Sequence, residues 1–181
     1  MKTAVTCCLL GAALALAHPH VFVDATVKVL FEPSGLVGIR NHWVYDELYS
    51  AAMMSTEPGK LCTEILEPFR NNNFYNYVQL GSSFLRVSEY KGCKASFKDN
   101  RLVLDFDVSV SSALKPDYTM LVVVVADPTN YIQMTADMEN ADIDAPDNID
   151  VEFFNDGLKG LTLFRAFRSD VEGLFIRFKK K

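Results

Sequence analysis

The chain has three histidines, and two of them flank a proline in "ALAHPHVFVDA", residues 15–25. Imidazole nitrogen is a ligand for zinc, copper and nickel, metals that proteins separate by geometry and availability more than by raw affinity. His18 and His20 are two residues apart, so in an extended segment their side chains share a face. If the chain is cut after Ala17, His18 also carries the α-amine, a second nitrogen on the same residue. The amine titrates at about 7.7–8.0 and imidazole near about 6.5, so both can be deprotonated ligands close to neutral pH. Pro19 has no backbone N–H to give up. That blocks the square-planar site in which an amino terminus, intervening backbone nitrogens and a third-position histidine enclose copper or nickel. An open set of amine, His18 and His20 remains. It needs further ligands, which suits a metal that is handed on.

The residues before His18 are the reason to expect that cut. Lys2 gives a thin positive start, Val5 to Leu16 an apolar run, and Ala15-Leu16-Ala17 the small-x-small pattern of a cleaved signal peptide. The run is too short to span a bilayer, and "MLVVVVA" (120–126) has the length of a buried strand, so no stable membrane anchor is expected. Residues 1–17 therefore read as a signal peptide and residues 18–181 as one periplasmic domain. A chain of 181 residues, 49% of them hydrophobic, can build one packed core but not two comfortable ones. Losing Lys2 leaves 17 basic side chains against 23 acidic ones. That balance argues against a nucleic-acid partner, which calls for a basic patch or stripe.

The elements that must position these histidines are mainly β. Residues 20–31 are rich in β-branched and aromatic types, "EPSG" turns the chain, and residues 36–45 return as the second half of a hairpin. Two short helices follow. Asp46 reads as an N-cap with Glu47 beside it, and Leu48, Ala51, Ala52 and Ser55 form an apolar face over residues 46–55. "TEPG" ends that helix, and Leu61, Ile65, Leu66 and Phe69 give helical spacing over residues 60–70. Asp99-Asn100 reads as a tight turn, after which residues 102–110 alternate apolar and polar, a strand with one wet face. Residues 120–126 read as a central strand. Residues 137–156 form a long acidic loop or edge excursion ending in "VEFF", and "LTLFRAF" and "LFIRF" close the chain as short strands. The expected fold is mainly β with a helical insertion (α+β), a β-sandwich-like single domain.

Other groups join the candidate ligands. Asp24 shares the parity of His18 and His20 but lies about 13 Å beyond His20 along an extended strand, so it reads as orienting a neighbour. His42 completes a three-nitrogen set if the hairpin returns it to the chain start; otherwise it is a packed strand histidine beside Trp43. Asp46 and Glu47 can supply carboxylate oxygens or hold a histidine from behind, or simply cap the helix. The acidic stretch 137–156 reads as solvated surface. Beyond the signal, Cys62 and Cys93 remain, open to two readings: a disulfide formed in an oxidising compartment, or two buried thiols.

"HPHVFVDA" after a signal peptide, then "IRNHWVYDELYSA", "DNRLVLDF" and "ADPTNYI", resembles the DUF1007 family in order from His18 to about Met134. The resemblance implies an exported component of metal uptake or efflux systems, associated with nickel, cobalt or zinc transporters. It places the family's His-Pro-His on His18, Pro19 and His20 and its following aspartate on Asp24. Its Trp-x-x-Asp-Glu segment falls on Trp43, Asp46 and Glu47, and its Asp-Pro turn on Asp127 and Pro128. The calcium-like loop of many relatives is replaced here by "MMSTEPGKLCTEI", which lacks alternating oxygen ligands.

The expected function is a periplasmic accessory protein that binds a divalent transition metal (zinc, nickel or cobalt, with copper a further option). It would then present that ion to a membrane metal transporter. The metal residues are His18, His20, His42, Asp46 and Glu47. The alternatives are an envelope interaction module with incidental histidines and a copper histidine-brace oxidative enzyme. A nucleophile elbow, a zincin histidine pair and a phosphate loop are all missing from the sequence, so an enzyme is not expected.

Overall fold

Period-two burial builds the molecule. In β1 (Val21–Glu32) the odd-numbered side chains from Val21 to Phe31 are buried and the even-numbered ones face out. β2 (Gly35–Tyr45) runs back antiparallel along it, with Val23 opposite Tyr45 and Thr26 opposite His42. The computed structural model describes residues 21–168 and 170–181; the His18-Pro19-His20 segment and the expected signal peptide lie outside the described residues. Gly35 is required at the hairpin turn: its φ is +133°, and a Cβ there would meet Ser112 O at 2.2 Å.

The remaining strands are β3 (Asn76–Leu80), β4 (Ser83–Leu85), β5 (Tyr90–Lys98), β6 (Arg101–Ala113), β7 (Thr119–Val125), β8 (Ile132–Ala136), β9 (Asp142–Asp144), β10 (Ile149–Gly157) and β11 (Glu172–Lys180). They form two sheets. One has the order β5-β6-β2-β1-β8, with β9 pairing β1 further along; the other has the order β10-β11-β7-β3-β4. β8 and β9 run parallel to β1. The core lies between the sheets, where Val29, Ile39 and Leu104 of the first meet Val123, Ile176 and Phe178 of the second. Phe31 and Phe178 touch across this gap, with centroids 5.0 Å apart. β7 is central in its sheet, as its unbroken apolar run requires. Asp99 and Asn100 both have positive φ, the two-residue turn that joins β5 to β6.

Three local expectations are corrected. Helix α1 (Glu47–Met53) forms with Asp46 as its N-cap, but Leu48 is 80% exposed and Ala51 and Ala52 face solvent. The buried position is Ser50, whose hydroxyl donates to Asp46 O (2.6 Å) and accepts from Leu102 N (2.8 Å). Seven residues are too few for an apolar stripe to govern the docking, so the helix is fixed by polar bonds to the end of the hairpin. The second helix stops early. Helix α2 (Leu61–Leu66) buries Leu61, Ile65 and Leu66 as expected, then passes at Glu67-Pro68 into a kinked 3-10 segment over Glu67–Tyr75. Finally, "LTLFRAF" is not a strand. Thr162–Phe164 is a 3-10 turn that lays Phe164 on Val122 and Val124, covering the outer face of the second sheet.

Candidate functional site

The start of β1 is held by a reciprocal backbone–side-chain clamp. Phe22 N–H donates to Asp46 Oδ2 at 2.8 Å, while Asp46 N–H donates to Phe22 O at 2.9 Å. The other oxygen of the same carboxylate accepts Tyr49 N–H at 2.8 Å, the N-cap bond of α1. Arg101 locks the neighbouring strand ends: its guanidinium donates to Tyr45 O (2.7 Å) and to Asp24 Oδ2 (2.8 Å). Ser50, Asp46 and Arg101 thus bind the first turn of α1, the start of β1 and the start of β6 into one corner.

On the other side of β1, Val21 pairs with Ile132. The turn that delivers Ile132 is organised by Asp127, only 7% exposed, whose carboxylate accepts Thr129 N, Thr129 Oγ1, Tyr131 N and Ile132 N at 2.7–3.1 Å. With its oxygens filled by these donors, Asp127 is a turn-former and not a free ligand. Its negative charge still acts on its neighbours. Burial first, and Asp127 second, raise the Tyr75 hydroxyl far above its ordinary value and push Tyr77 up to about 12. Tyr75 is placed by a costly turn in which Asn73, Phe74 and Tyr75 all have positive φ. Tyr45, wholly buried and stacked on Tyr49 at 4.8 Å, is likewise raised by burial. The end of the sandwich where β1 begins is therefore a tyrosine-rich collar fixed by two carboxylates.

His42 sits elsewhere. It faces out from β2 opposite Thr26, four residues or about 13 Å along β1 from the Phe22 clamp. Its Nδ1 lies 2.7 Å from Asp105 Oδ1 on β6. A carboxylate bound to one ring nitrogen fixes the ring and leaves the other nitrogen as the electron-pair donor, the arrangement usual behind a metal-bound imidazole. A cleft of about 610 Å³ opens beside it, lined by Asp24, Thr26, His42, Val44, Asp137 and Glu139 among others. Neighbouring rungs of this open face are occupied by ion pairs, Arg40–Asp107 at 2.8 Å and Lys28–Asp142 at 2.6 Å. The Lys28 partner holds the Asp142 carboxyl below its usual range.

Of the residues expected to bind metal, the structure brings Asp46 to the start of β1 and holds it there as a clamp. Glu47 is exposed in the first turn of α1, and His42 stands apart with Asp105. Among the described residues no three His, Cys, Asp or Glu side chains are placed to hold one ion. His18 and His20 lie outside the described residues. Sequence reasoning put Asp105 on a wet strand face without linking it to His42, and gave no role to Arg101 or Ser50. Cys62 and Cys93 form a disulfide that ties α2 to β5, settling the open alternative.

Fold and corner together define a two-sheet β domain with its amino-terminal strand clamped to a short helix. The chain belongs to the family described as "Protein of unknown function (DUF1007)", whose model matches residues 3–155. It is also 25% identical over 130 residues to an uncharacterized protein of Haemophilus influenzae. That match covers 66% of this chain and spans 63% of the relative's length.

Proposed function

We propose that this protein is an exported metal-binding accessory protein. It takes a divalent transition metal (zinc, nickel or cobalt) with a mature amino-terminal His-Pro-His and presents it to a membrane transporter. The observation that carries this reading is the Asp46 clamp on Phe22, two residues after His20. A chain beginning at His18 then has its amine and two imidazoles within four residues of a fixed point, so little chain entropy opposes closing them on one ion. The Cys62–Cys93 disulfide supports an oxidising compartment, and no helix among the described residues is long and apolar enough to cross a membrane. The reading is one of binding: the corner's two organising carboxylates act as acceptors, Asp46 for Phe22 and Tyr49 N–H and Asp127 for three backbone N–H groups and the Thr129 hydroxyl.

The test is calorimetric titration with zinc, nickel, cobalt and copper of the chain beginning at His18, beside the same chain carrying one extra amino-terminal alanine. Tight binding lost in the extended form assigns the site to the terminus. Equal binding by both moves it to His42 with Asp105, and no binding by either overturns the metal reading and leaves an envelope interaction domain.

A further inference from the structure

Among the described residues the two sheets end in unpaired edge strands of opposite charge. β5 closes the first sheet and β10 the second. Over residues 94–98 β5 carries Lys94 and Lys98 and no acid; over residues 152–156 β10 carries Glu152 and Asp156 and no base. Lys94 and Lys98 make no ion pair among the described residues. Each edge also leaves phenylalanine in water, Phe97 at 38% exposure on β5 and Phe153 at 47% on β10. An exposed strand edge with apolar side chains is a template for another strand.

The geometry points to head-to-tail pairing of β5 of one copy of this chain with β10 of a second copy, antiparallel, in a single register. Setting Phe97 opposite Phe153 puts Lys98 opposite Glu152 and Lys94 opposite Asp156, with Ala95 opposite Asn155. Backbone parity agrees. The two-residue turn at Asp99-Asn100 closes Lys98 on Arg101 as a hydrogen-bonded pair, so the N–H and C=O of Ala95 and Phe97 point to the free edge. On β10, Lys181 N–H donates to Asn148 O, so even-numbered residues bond toward β11 and Phe153 and Asn155 point outward. Both sets of free groups therefore meet. Face parity agrees as well, since Lys94, opposite Asp105, and Glu152, ion-paired with Arg177 across the β10–β11 rung, both lie on the outer faces of their sheets.

Charge selects this pairing over the symmetric ones. β10 against itself centred on Phe154 sets Glu152 opposite Asp156, and β5 against itself centred on Ser96 sets Lys94 opposite Lys98; like charges directly opposite are destabilising. The contact is heterologous, so it closes into a ring or grows as a filament.

Sedimentation velocity of the purified protein over a range of concentrations tests this, with circular dichroism confirming each variant's fold. Wild type is expected to associate, K98E and D156K each to weaken association about fivefold or more, and K98E/E152K to restore it. K98E/D156K, which sets like charges opposite at both positions, is expected to stay monomeric. A wild type that is monomeric at all concentrations overturns the proposal, as does association that K98E and D156K leave unchanged or that K98E/E152K fails to restore.

Discussion

Asp46 and Phe22 are 24 residues apart in sequence, yet each donates its backbone N–H to the other, Phe22 to the Asp46 carboxylate at 2.8 Å and Asp46 to Phe22 O at 2.9 Å. One carboxylate thereby starts a helix and anchors the start of a strand, because its second oxygen caps the amino end of α1 through Tyr49 N. The start of β1 is thereby tied to the element that follows the first hairpin.

Removing that carboxylate costs two partners at once. Asp46→Ala is expected to destabilise the protein by about 2 kcal/mol, from the lost cap and an unsatisfied Phe22 N–H. Asp46→Asn, which keeps one acceptor, should lose about half of that. Urea unfolding gives the two values, and hydrogen exchange at Phe22 should accelerate in both variants. Unchanged exchange at Phe22 would show that the clamp does not hold the strand.

The disulfide closes a loop between residues 31 positions apart. Loop-closure entropy of that length corresponds to about 3–4 kcal/mol. Unfolding with and without reductant, compared with Cys62→Ser/Cys93→Ser, should recover a loss of that size. Thiol titration of the native chain from His18 should find no free thiol until reductant is added.

Alkaline stability should follow the buried tyrosines. Tyr77, pushed up to about 12, and Tyr75, raised further, stay protonated in the fold at pH values where the unfolded chain ionises near about 10. Between those values the native state holds more protons than the unfolded one, so stability falls as pH rises. The contribution is fully present below pH about 10 and is lost as pH climbs through the folded values. Tyr77→Phe should flatten the decline, and tyrosinate absorbance in the wild type should grow together with loss of structure. Ionisation of all seven tyrosines in an intact fold near pH 10 would contradict it.

Trp43 is wholly buried and meets Phe106 edge-on at 4.8 Å, while its indole N–H has no partner among the described residues. Trp43→Ala should cost about 3–5 kcal/mol through the cavity it leaves. Trp43→Phe removes the unpaired donor along with less volume, and should cost markedly less. Denaturant midpoints of the two variants against wild type make the comparison.

His42 offers a test that does not involve the terminus. If metal binds there, Asp105→Asn should weaken affinity about 10–100-fold, since it removes the carboxylate that fixes the ring. Calorimetry of this variant in the alanine-extended chain isolates the internal contribution. An unaltered affinity would separate His42 from any metal held by the domain.

What the sequence determined by itself is local. Period-two alternation specified the inward face of β6, because a strand's side chains change sides at every residue, while β-branched and aromatic composition marked β1 as a strand. Asp99-Asn100 announced its turn through tolerance of positive φ, and Asp46 its cap through a short side chain that reaches the helix's free N–H groups. Where local signals were weak they misled: "LTLFRAF" has strand-like composition but packs Phe164 on Val122 and Val124 across the outer face of the second sheet, and α1 is too short for its apolar spacing to decide which face is buried. Only the tertiary structure decided the pairings across the chain. Asp105 meets His42 from 63 residues away, Arg101 reaches Asp24 from 77, β8 lies parallel to β1, and Cys62 finds Cys93. None of these leaves a local trace, because each depends on the order in which strands join a sheet and on the register they take, and both are set by burial of the whole core.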